Sequence, residues 1–275
     1  MTVPRIGVTL GDPGGVGPEV VLKALGRPDS LPPASYVVFA DARILAEEGA
    51  TLGLPAAFGP WRPRGQENAP GVFLADVPSP GAGRRAEAKP EAANGAASFR
   101  FFETAVEAVR AGTLDAMVTA PVSKAGWRLA SLPWRGHTEY LERFYPGAVM
   151  SFWSDRLRVA LLSHHLPLRE ALDRVRKDTL LAYFRALERS AGRLEAGPRE
   201  FLVPGLNPHA GEDGLLGGEE DREIRPAVAA ARAEGIEVSG PYPPDTVFRM
   251  ALGRPERMVA ALYHDQGLIA FKTES

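Results

Sequence analysis

Short apolar runs rich in β-branched residues alternate with longer helical patterns along almost the whole chain, and this alternation restricts its possible folds more than any other feature. Bounded apolar runs are typical of buried strands, whereas a period near 3.6 residues predicts a helix. Strands are predicted at Arg5–Leu10, Tyr36–Ala40, Gly71–Val77, Ala116–Ala120, Val149–Ser154, Arg158–Ser163, Phe201–Leu206 and Val259–Tyr263. Helices are predicted at Pro18–Leu25, Asp41–Glu48, Ala92–Ala111, Thr138–Phe144, Leu168–Val175, Asp178–Leu194 and Glu219–Glu234. Such alternation predicts an α/β fold whose ligands collect at the carboxyl ends of parallel strands.

Changes in composition suggest how the chain is divided. Residues 55–70 and 78–91 are rich in Pro, Gly, Ala and Arg and are predicted to be surface loops. A further change falls near residues 121–136, after the sequence T-A-P-V-S-K. We therefore predict two α/β domains, at 1–122 and 123–275.

Bulk properties argue against several classes of protein. The net charge of −2 gives no sign of a nucleic-acid or membrane partner, and no apolar run approaches the ~20 residues that span a bilayer. The chain has no cysteine, which excludes disulfides and thiolate metal sites. It begins with a strand pattern rather than a basic segment and an apolar core, so no secretion signal is expected. The predicted location is the cytoplasm.

The segment T-L-G-D-P-G-G-V-G-P-E-V, residues 9–20, is the first candidate site. A strand runs into a glycine-rich loop, and Pro18 then occupies a helix's first position, where its missing N–H costs nothing. Backbone N–H groups in such a loop can bind an anion, so Gly11, Asp12, Gly14, Gly15 and Gly17 are candidate anion-binding residues, with either a cofactor or a substrate as the ligand. The segment matches neither the Walker A nor the Rossmann pattern. A tight strand–helix turn explains the same glycines.

Two further segments carry candidate ligands for an anion. In T-A-P-V-S-K, residues 119–124, the strand end leaves Ser123 and Lys124 at the carboxyl edge of the sheet, although a solvated surface lysine is the simpler interpretation. In G-H-T-E-Y, residues 136–140, Thr138 is predicted to cap a helix and His137 to lie beside its positive end. A local hydrogen bond is the alternative role for His137.

Four of the five histidines follow apolar runs, where an α/β protein presents strand ends to ligands. His164 and His165 stand in S-H-H-L-P, His209 in N-P-H-A-G-E-D-G, and His264 in Y-H-D-Q-G. Neighbouring side chains on an extended segment alternate faces, so only one of His164 and His165 is expected to point inward. Three imidazoles from separate strand ends suit Zn²⁺ or another divalent Lewis acid. A lone histidine, however, is more often structural than a ligand.

Taken together, the motifs resemble the 4-hydroxythreonine-4-phosphate dehydrogenase family of vitamin B6 biosynthesis. The resemblance rests on G-D-P-G-G-V-G-P-E, T-A-P-V-S-K, G-H-T-E-Y, H-L-P-L-R, L-N-P-H-A-G-E-D-G, G-P-Y-P-P-D-T-V-F and Y-H-D-Q-G-L-I-A-F-K, in family order from residue 11 to 272. It implies a two-domain fold similar to isocitrate and isopropylmalate dehydrogenases, with a cleft between the domains. It also implies a homodimer with shared active sites and binding of NAD or NADP with Zn²⁺, Mg²⁺ or Co²⁺.

The same resemblance implies roles for individual residues. The family's metal ligands correspond to His165, His209 and His264, which leaves His164 as a structural residue. Its substrate-binding positions correspond to His137, Thr138 and Lys272, and Asp245 is expected near the reacting hydroxyl. His209, Asp245 and Lys272 are the implied catalytic residues. The implied reaction is oxidation of 4-phosphooxy-L-threonine to 2-amino-3-oxo-4-phosphooxybutanoate, which decarboxylates to 3-amino-2-oxopropyl phosphate.

The resemblance has one departure and leaves other functions open. Family members continue past the lysine that corresponds to Lys272, with a segment expected to contact the phosphate and the dinucleotide, so this return segment is expected to be absent. One alternative is a dehydrogenase for a threonate or erythronate phosphate. A metal-dependent hydrolase is another, and a catalytically inactive dimer that binds metal or phosphate is a third.

Overall fold

The computed structural model describes residues 3–27, 31–54, 58–63, 70–83, 89–194 and 196–274. The chain divides into two compact units, Met1–Phe144 and Tyr145–Ser275. Parts of the predicted loops at 55–70 and 78–91 lie outside the described residues. None of the described helices is both long and apolar enough to cross a bilayer.

The described part of the first unit forms a five-stranded parallel sheet in the order β3-β4-β2-β1-β5. Its strands are β1 (Arg5–Thr9), β2 (Ser35–Ala40), β3 (Gly59–Pro60), β4 (Gly71–Asp76) and β5 (Ala116–Thr119). Its helices are α1 (Gly17–Leu25), α2 (Ala42–Leu52), α3 (Ala92–Arg110), α4 (Lys124–Leu129) and α5 (His137–Glu142). Strand β1 lies between β2 and β5, so the segments that follow β1 and β5 leave the same edge of the sheet.

The first unit has two apolar clusters on either side of α3. Phe39 and Phe101 are fully buried in the main core, which packs α1, α2 and α3 against the sheet. The opposite side of α3 presents Phe99 and Phe102 to Trp127, with ring centroids 5.4 and 6.1 Å apart. The buried indole N–H of Trp127 donates to the Ser98 hydroxyl at 2.9 Å.

The second unit contains a five-stranded mixed sheet in the order β6-β7-β10-β8-β9. Its strands are β6 (Met150–Trp153), β7 (Arg158–Leu161), β8 (Glu200–Pro204), β9 (Val238–Tyr242) and β10 (Arg257–Ala261), of which only β6 runs antiparallel to its neighbour. Its helices are α6 (Leu168–Asp173), α7 (Lys177–Ala191), α8 (Arg225–Ala233), α9 (Val247–Ala251) and α10 (His264–Glu274). A π-helical segment, Glu220–Ile224, leads directly into α8.

Apolar side chains cover both faces of this second sheet, as parallel strands with helices on both sides require. One cluster contains Phe184 and Phe201 and packs α7 and α8 on one face. Another contains Val259 and Leu268 and packs α9 and α10 on the other. The central strand β10 is therefore buried from Met258 to Ala261.

All eight predicted strands and the α/β alternation are present, and the described residues form three further helices and two further strands that the sequence did not predict. The missed elements are β3, β9, α4, α9 and α10. Strand β9 contains Gly240 and Pro241, which sequence rules count against a strand. The predicted domain boundary at 122 also differs from the structural division at 144. The reason is that Trp127 and Tyr140 pack into the aromatic cluster on α3, which keeps residues 123–144 with the first unit.

Candidate functional site: a histidine pocket and a glycine loop

A pocket of about 350 Å³ lies in the second unit where β7 and β10 end side by side. Leu161 pairs with Ala261 in the parallel sheet, so the segments after them emerge together. The pocket is lined by Ser163, His164, His165, Leu166, Leu168, Ala171, Tyr263, His264 and Asp265. The ring centroids of His165 and His264 are 5.8 Å apart. Two of the three predicted metal ligands therefore share this histidine pocket.

Hydrogen bonds fix the strand ends that form the pocket. The Ser163 hydroxyl donates to the Leu262 carbonyl at 2.9 Å, which joins the segments after β7 and β10. The Gln266 side chain accepts from the Leu262 N–H at 2.8 Å and donates to the Gly205 carbonyl at 2.9 Å. Gln266 thereby ties the end of β10 to the end of β8. Sequence reasoning gave Gln266 no role, although it stands inside the Y-H-D-Q-G motif.

His264 is oriented by its own neighbour. Its Nδ1 lies 2.7 Å from the Asp265 carboxylate, and the residue begins α10 rather than ending a strand as predicted. A carboxylate on Nδ1 fixes the imidazole tautomer and makes Nε2 the available electron-pair donor. This is the usual arrangement of a metal-binding histidine, so the chemistry of the pair fits a divalent cation.

The prediction that His164 and His165 point to opposite faces is wrong. It assumed an extended segment, whereas β7 ends at Leu161 and His165 has a φ of +49°. The two imidazoles are 5.3 Å apart at 90°, and both line the pocket. His164 is therefore a further candidate metal ligand, although the sequence analysis gave it a structural role.

His209 lies in an unusual turn after β8. Residues His209, Ala210, Gly211, Glu212 and Asp213 all have φ between +43° and +86°, which we call the left-handed turn. A left-handed conformation costs roughly 1–2 kcal/mol for each residue with a Cβ, so four non-glycine residues make this a strained segment. Strain of this kind is typical of functional sites. His209 itself is exposed and does not line the histidine pocket.

No group of three or more His, Asp or Glu side chains with metal-binding geometry forms among the described residues. The predicted set of His165, His209 and His264 is thus only partly assembled. The parallel strands β7 and β10 bring the rings of His165 and His264 together, whereas His209 follows β8 and is exposed in the left-handed turn.

The remaining predicted catalytic residues are exposed. Asp245 lies between β9 and α9, where its carboxylate accepts a hydrogen bond from the Thr246 hydroxyl at 3.2 Å. Lys272 lies in the last turn of α10, eight residues after His264. A helix rises 1.5 Å per residue, so their backbones are roughly 12 Å apart along the axis. The structure does not bring Lys272 into the histidine pocket.

The glycine-rich segment of the first unit forms a compact turn, residues 10–16, which we call the glycine loop. The Asp12 N–H donates to the Pro121 carbonyl at 2.9 Å, and the N–H groups of Gly14 and Gly15 donate to the side chain and the carbonyl of Asp12. Three N–H groups of the loop thus have acceptors within the first unit. Burial raises the pKa of the Asp12 carboxyl, against the lowering effect of the Gly14 N–H.

Close approach of the backbone explains the first and last predicted glycines. Gly11 has a φ of +72°, and a Cβ there would lie 2.3 Å from the Pro121 carbonyl oxygen. A Cβ on Gly17 would lie 2.2 Å from the Leu10 carbonyl oxygen. These contacts fit the tight-turn interpretation that the sequence left open beside anion binding.

The loop contacts the first of the other two predicted anion-binding segments through Pro121, and that segment in turn approaches the second. Ser123 caps α4 by accepting the Gly126 N–H at 3.0 Å, and α4 begins at Lys124. The side chain of Lys124 passes within 3.8 Å of the Cβ position of Gly136, next to His137. The glycine loop, Lys124 and His137 therefore form one region of the first unit, which we call the glycine-loop region.

His137 is the first residue of α5, at the helix start as predicted, and its ring is half-buried between aromatic rings. Its ring centroid is 4.5 Å from that of Phe102 and 5.5 Å from that of Trp127. Burial lowers the pKa of His137 to about 4, so its imidazole is neutral at pH 7. Its buried Nε2 has no hydrogen-bond partner among the described residues. A ligand that accepts a hydrogen bond from this nitrogen would satisfy it.

The predicted cap at Thr138 is wrong. Helix α5 begins at His137 with Gly136 as its N-cap, which places the exposed Thr138 inside the first turn. No side-chain hydrogen bond from the described residues caps α5, although the Arg135 N–H, just before the helix, donates to the Glu139 carboxylate at 2.8 Å.

Comparison with known proteins agrees with these motifs. A family model described as pyridoxal phosphate biosynthetic protein PdxA matches residues 33–275. A 4-hydroxythreonine-4-phosphate dehydrogenase from Chromobacterium violaceum is 38% identical over 275 residues, covering 99% of this chain and 82% of the relative. A protein from Symbiobacterium thermophilum, provisionally named a D-threonate 4-phosphate dehydrogenase, is 36% identical, covering 98% of this chain and 82% of the relative.

Solved structures give the same result for the fold. The crystal structure of 4-hydroxythreonine-4-phosphate dehydrogenase from Klebsiella pneumoniae matches with a TM-score of 0.85 at 34% identity, covering 98% of this chain and 83% of that one. The predicted α/β fold class and the predicted family resemblance are confirmed.

Proposed function

The chain belongs to the family of pyridoxal phosphate biosynthetic proteins PdxA, and from this premise we propose that it oxidises 4-phosphooxy-L-threonine with NAD or NADP and a divalent metal ion. NAD or NADP would supply the acceptor for a hydride from the carbinol carbon of the substrate, and the hydroxyl on that carbon would give up its proton. The resulting β-keto acid loses CO2 to give 3-amino-2-oxopropyl phosphate. The observation that carries the proposal is the pairing of His165 and His264 in one pocket at the strand ends.

The histidine pocket is the proposed metal and reaction site. His165, His264 and His209 would hold Zn²⁺, Mg²⁺ or Co²⁺, which as a Lewis acid would lower the pKa of the substrate hydroxyl and stabilise negative charge on oxygen. The Asp265 carboxylate holds His264 in the tautomer that leaves Nε2 available. The hydrogen bonds of Ser163 and Gln266 join the segments that follow β7, β8 and β10, and so position the imidazoles.

The glycine-loop region is the proposed anion site. Lys124 supplies a positive charge, and His137 and Thr138 would bind the substrate phosphate. A neutral His137 would donate one N–H to the phosphate, and the dianion would raise its pKa from about 4. Binding energy from a remote phosphate orients the reacting end of a substrate. Asp12 and the loop glycines are proposed to contact the cofactor, with Asp245 and Lys272 acting on the substrate.

We also propose that the protein is a cytoplasmic homodimer that completes each site with residues of both subunits. Family membership supports this assembly, and light scattering on the purified protein tests it. A monomeric mass under assay conditions would contradict the proposal.

The decisive experiment measures NADH or NADPH formation from 4-phosphooxy-L-threonine with added Zn²⁺, Mg²⁺ or Co²⁺. We expect His264→Ala to lower kcat/KM at least about a thousandfold, because Lewis-acid catalysis is worth several kcal/mol, and to lower the bound metal measured by elemental analysis. Arg169→Ala is the matched control, since Arg169 is exposed on α6 beside the pocket but does not line it. No reduced cofactor with any substrate would reject the dehydrogenase assignment, and turnover without cofactor would favour a hydrolase.

D-threonate 4-phosphate is the second candidate substrate, because the relative from Symbiobacterium thermophilum carries that name at 36% identity. The two substrates differ at the carbon beside the carboxylate, where one has an amino group and the other a hydroxyl. The same assay with both compounds compares their kcat/KM values. A higher value for threonate phosphate would assign the chain to that substrate within the family.

A further inference from the structure

A buried carboxylate lies beneath the left-handed turn. Glu220, the first residue of the π-helical segment, is only 1% exposed. Its Oε1 accepts the backbone N–H groups of Leu206 and Asn207, both at 2.7 Å, and its Oε2 accepts from the Asn207 side-chain amide at 2.9 Å. A buried carboxylate is tolerated when hydrogen bonds of this kind replace its water. All three bonds go to Leu206 and Asn207, which only Pro208 separates from the turn.

Asn207 links two successive carboxylates. Its side-chain nitrogen donates to Glu219 as well as to Glu220, both at 2.9 Å. Both protons of the amide are thereby used. The hydrogen bond from Asn207 also lowers the pKa of the Glu219 carboxyl. The carboxylates of Glu219 and Glu220 thus both bind the segment that leads into the left-handed turn.

Close packing shows that the turn and the carboxylate fit each other. A Cβ on Gly211, inside the turn, would lie 2.8 Å from Oε2 of Glu220. A Cβ on Gly217, after the turn, would lie 2.4 Å from the Asn207 amide nitrogen. The motif L-N-P-H-A-G-E-D-G therefore packs directly against the acidic residues that follow it.

We propose that Glu220 is a positioning residue that holds the left-handed turn in place and so fixes His209 for ligand binding. The inference deepens the proposed function, since it takes His209 as a metal ligand. His209 does not line the histidine pocket, and its own turn is strained. Three hydrogen bonds to Glu220 oppose relaxation of that turn. Without them the non-glycine residues would return to right-handed or extended conformations.

The test compares Glu220→Gln with Glu223→Gln. Glutamine keeps the size of the side chain but replaces one carboxylate oxygen with an NH2 group. That NH2 group would face another hydrogen-bond donor, either the Asn207 amide or the two backbone N–H groups. Glu223 is a matched control on the same segment, because it also accepts a backbone N–H, that of Lys177 at 2.7 Å, but lies away from the turn. Hydrogen exchange followed by mass spectrometry reports on residues 206–216 directly. Titration with Co²⁺ alone, followed by visible absorption, reports on the metal ligands without turnover.

For Glu220→Gln we expect exchange in 206–216 to be about tenfold faster and Co²⁺ affinity to fall about 10–100-fold. Glu223→Gln should change neither. If Glu220→Gln does not fold, Asn207→Ala removes the side-chain bonds and leaves the carboxylate with its two backbone donors, and should give a smaller change in the same direction.

Unchanged exchange in folded Glu220→Gln would overturn the positioning role. Faster exchange with unchanged Co²⁺ affinity would overturn its link to ligand binding. A separate variant, His209→Ala, tests the premise. If that variant binds Co²⁺ like the wild type, the assignment of His209 as a ligand fails, whereas the exchange data still decide whether Glu220 holds the turn.

Discussion

The glycine loop and the left-handed turn each follow a parallel strand and each contain residues with positive φ. They differ in the type of residue that adopts this conformation. In the glycine loop, Gly11 takes up a φ of +72° where no side chain would fit. In the left-handed turn, His209, Ala210, Glu212 and Asp213 adopt positive φ although each carries a Cβ. The glycine loop avoids backbone strain because a glycine occupies the position with positive φ. The left-handed turn keeps the strain, and we infer that the hydrogen bonds to Glu220 hold it in place. The second is the arrangement expected where specific side chains must project from the turn.

The most severe test of this contrast is Gly11→Ala. We expect the unfolding free energy of the first unit to fall by about 3 kcal/mol, because left-handed strain adds to overpacking worth about 1–3 kcal/mol. The new methyl group would lie 2.3 Å from the Pro121 carbonyl oxygen, and backbone atoms cannot rotate away. Urea denaturation followed by tryptophan fluorescence measures the change.

Gly15→Ala is the matched control in the same loop. A Cβ at Gly15 would meet Asp12 at 3.6 Å, which is ordinary van der Waals contact. We expect a change within about 0.5 kcal/mol. Equal losses in the two variants would mean that the loop needs glycine for general flexibility rather than for the approach to Pro121.

The contrast also shows which features the sequence could reveal. Alternating apolar runs predicted the α/β fold, and family motifs predicted the histidines, because both signals are contiguous in sequence. The positive φ of His165 and the left-handed turn could not be predicted, because such angles disfavour residues with a Cβ and are visible only in the three-dimensional structure. The domain boundary differed for the same reason: only the structure shows that Trp127 packs on Phe99 and Phe102.

The pH dependence of stability tests the burial of His137 in the glycine-loop region, and its expected effect lies between those of the other two predictions. Its pKa is about 4 in the folded protein, against 6.5 for an unperturbed histidine, so between these values the unfolded chain binds the extra proton. The unfolding free energy should therefore fall as the pH drops from about 6.5 to 4. We expect His137 to contribute about 1 kcal/mol to this loss, because partial exposure of the ring reduces the full effect.

The comparison of wild type with His137→Gln isolates this contribution, since glutamine does not titrate. Urea denaturation at several pH values measures the slope for both proteins. Arg135→Gln, an exposed neighbour, should retain the wild-type slope. If His137→Gln also retained it, burial of His137 between Phe102 and Trp127 would not be its source.

The smallest effect concerns the strain that remains in the left-handed turn. Glu212 is exposed with a φ of +43°, so Glu212→Gly should relieve roughly 1–2 kcal/mol of left-handed strain while losing roughly 0.5–1 kcal/mol to the greater freedom of the unfolded chain. The expected net result is a stabilisation of about 0.5–1 kcal/mol, measured by urea denaturation of the second unit. Glu256→Gly, at an exposed turn residue outside the left-handed region, has only the unfavourable contribution and should destabilise. Opposite signs in these two variants would establish that the turn holds non-glycine residues against their preference. Equal destabilisation would remove the distinction between the two loops, because the left-handed residues would then cost the fold nothing.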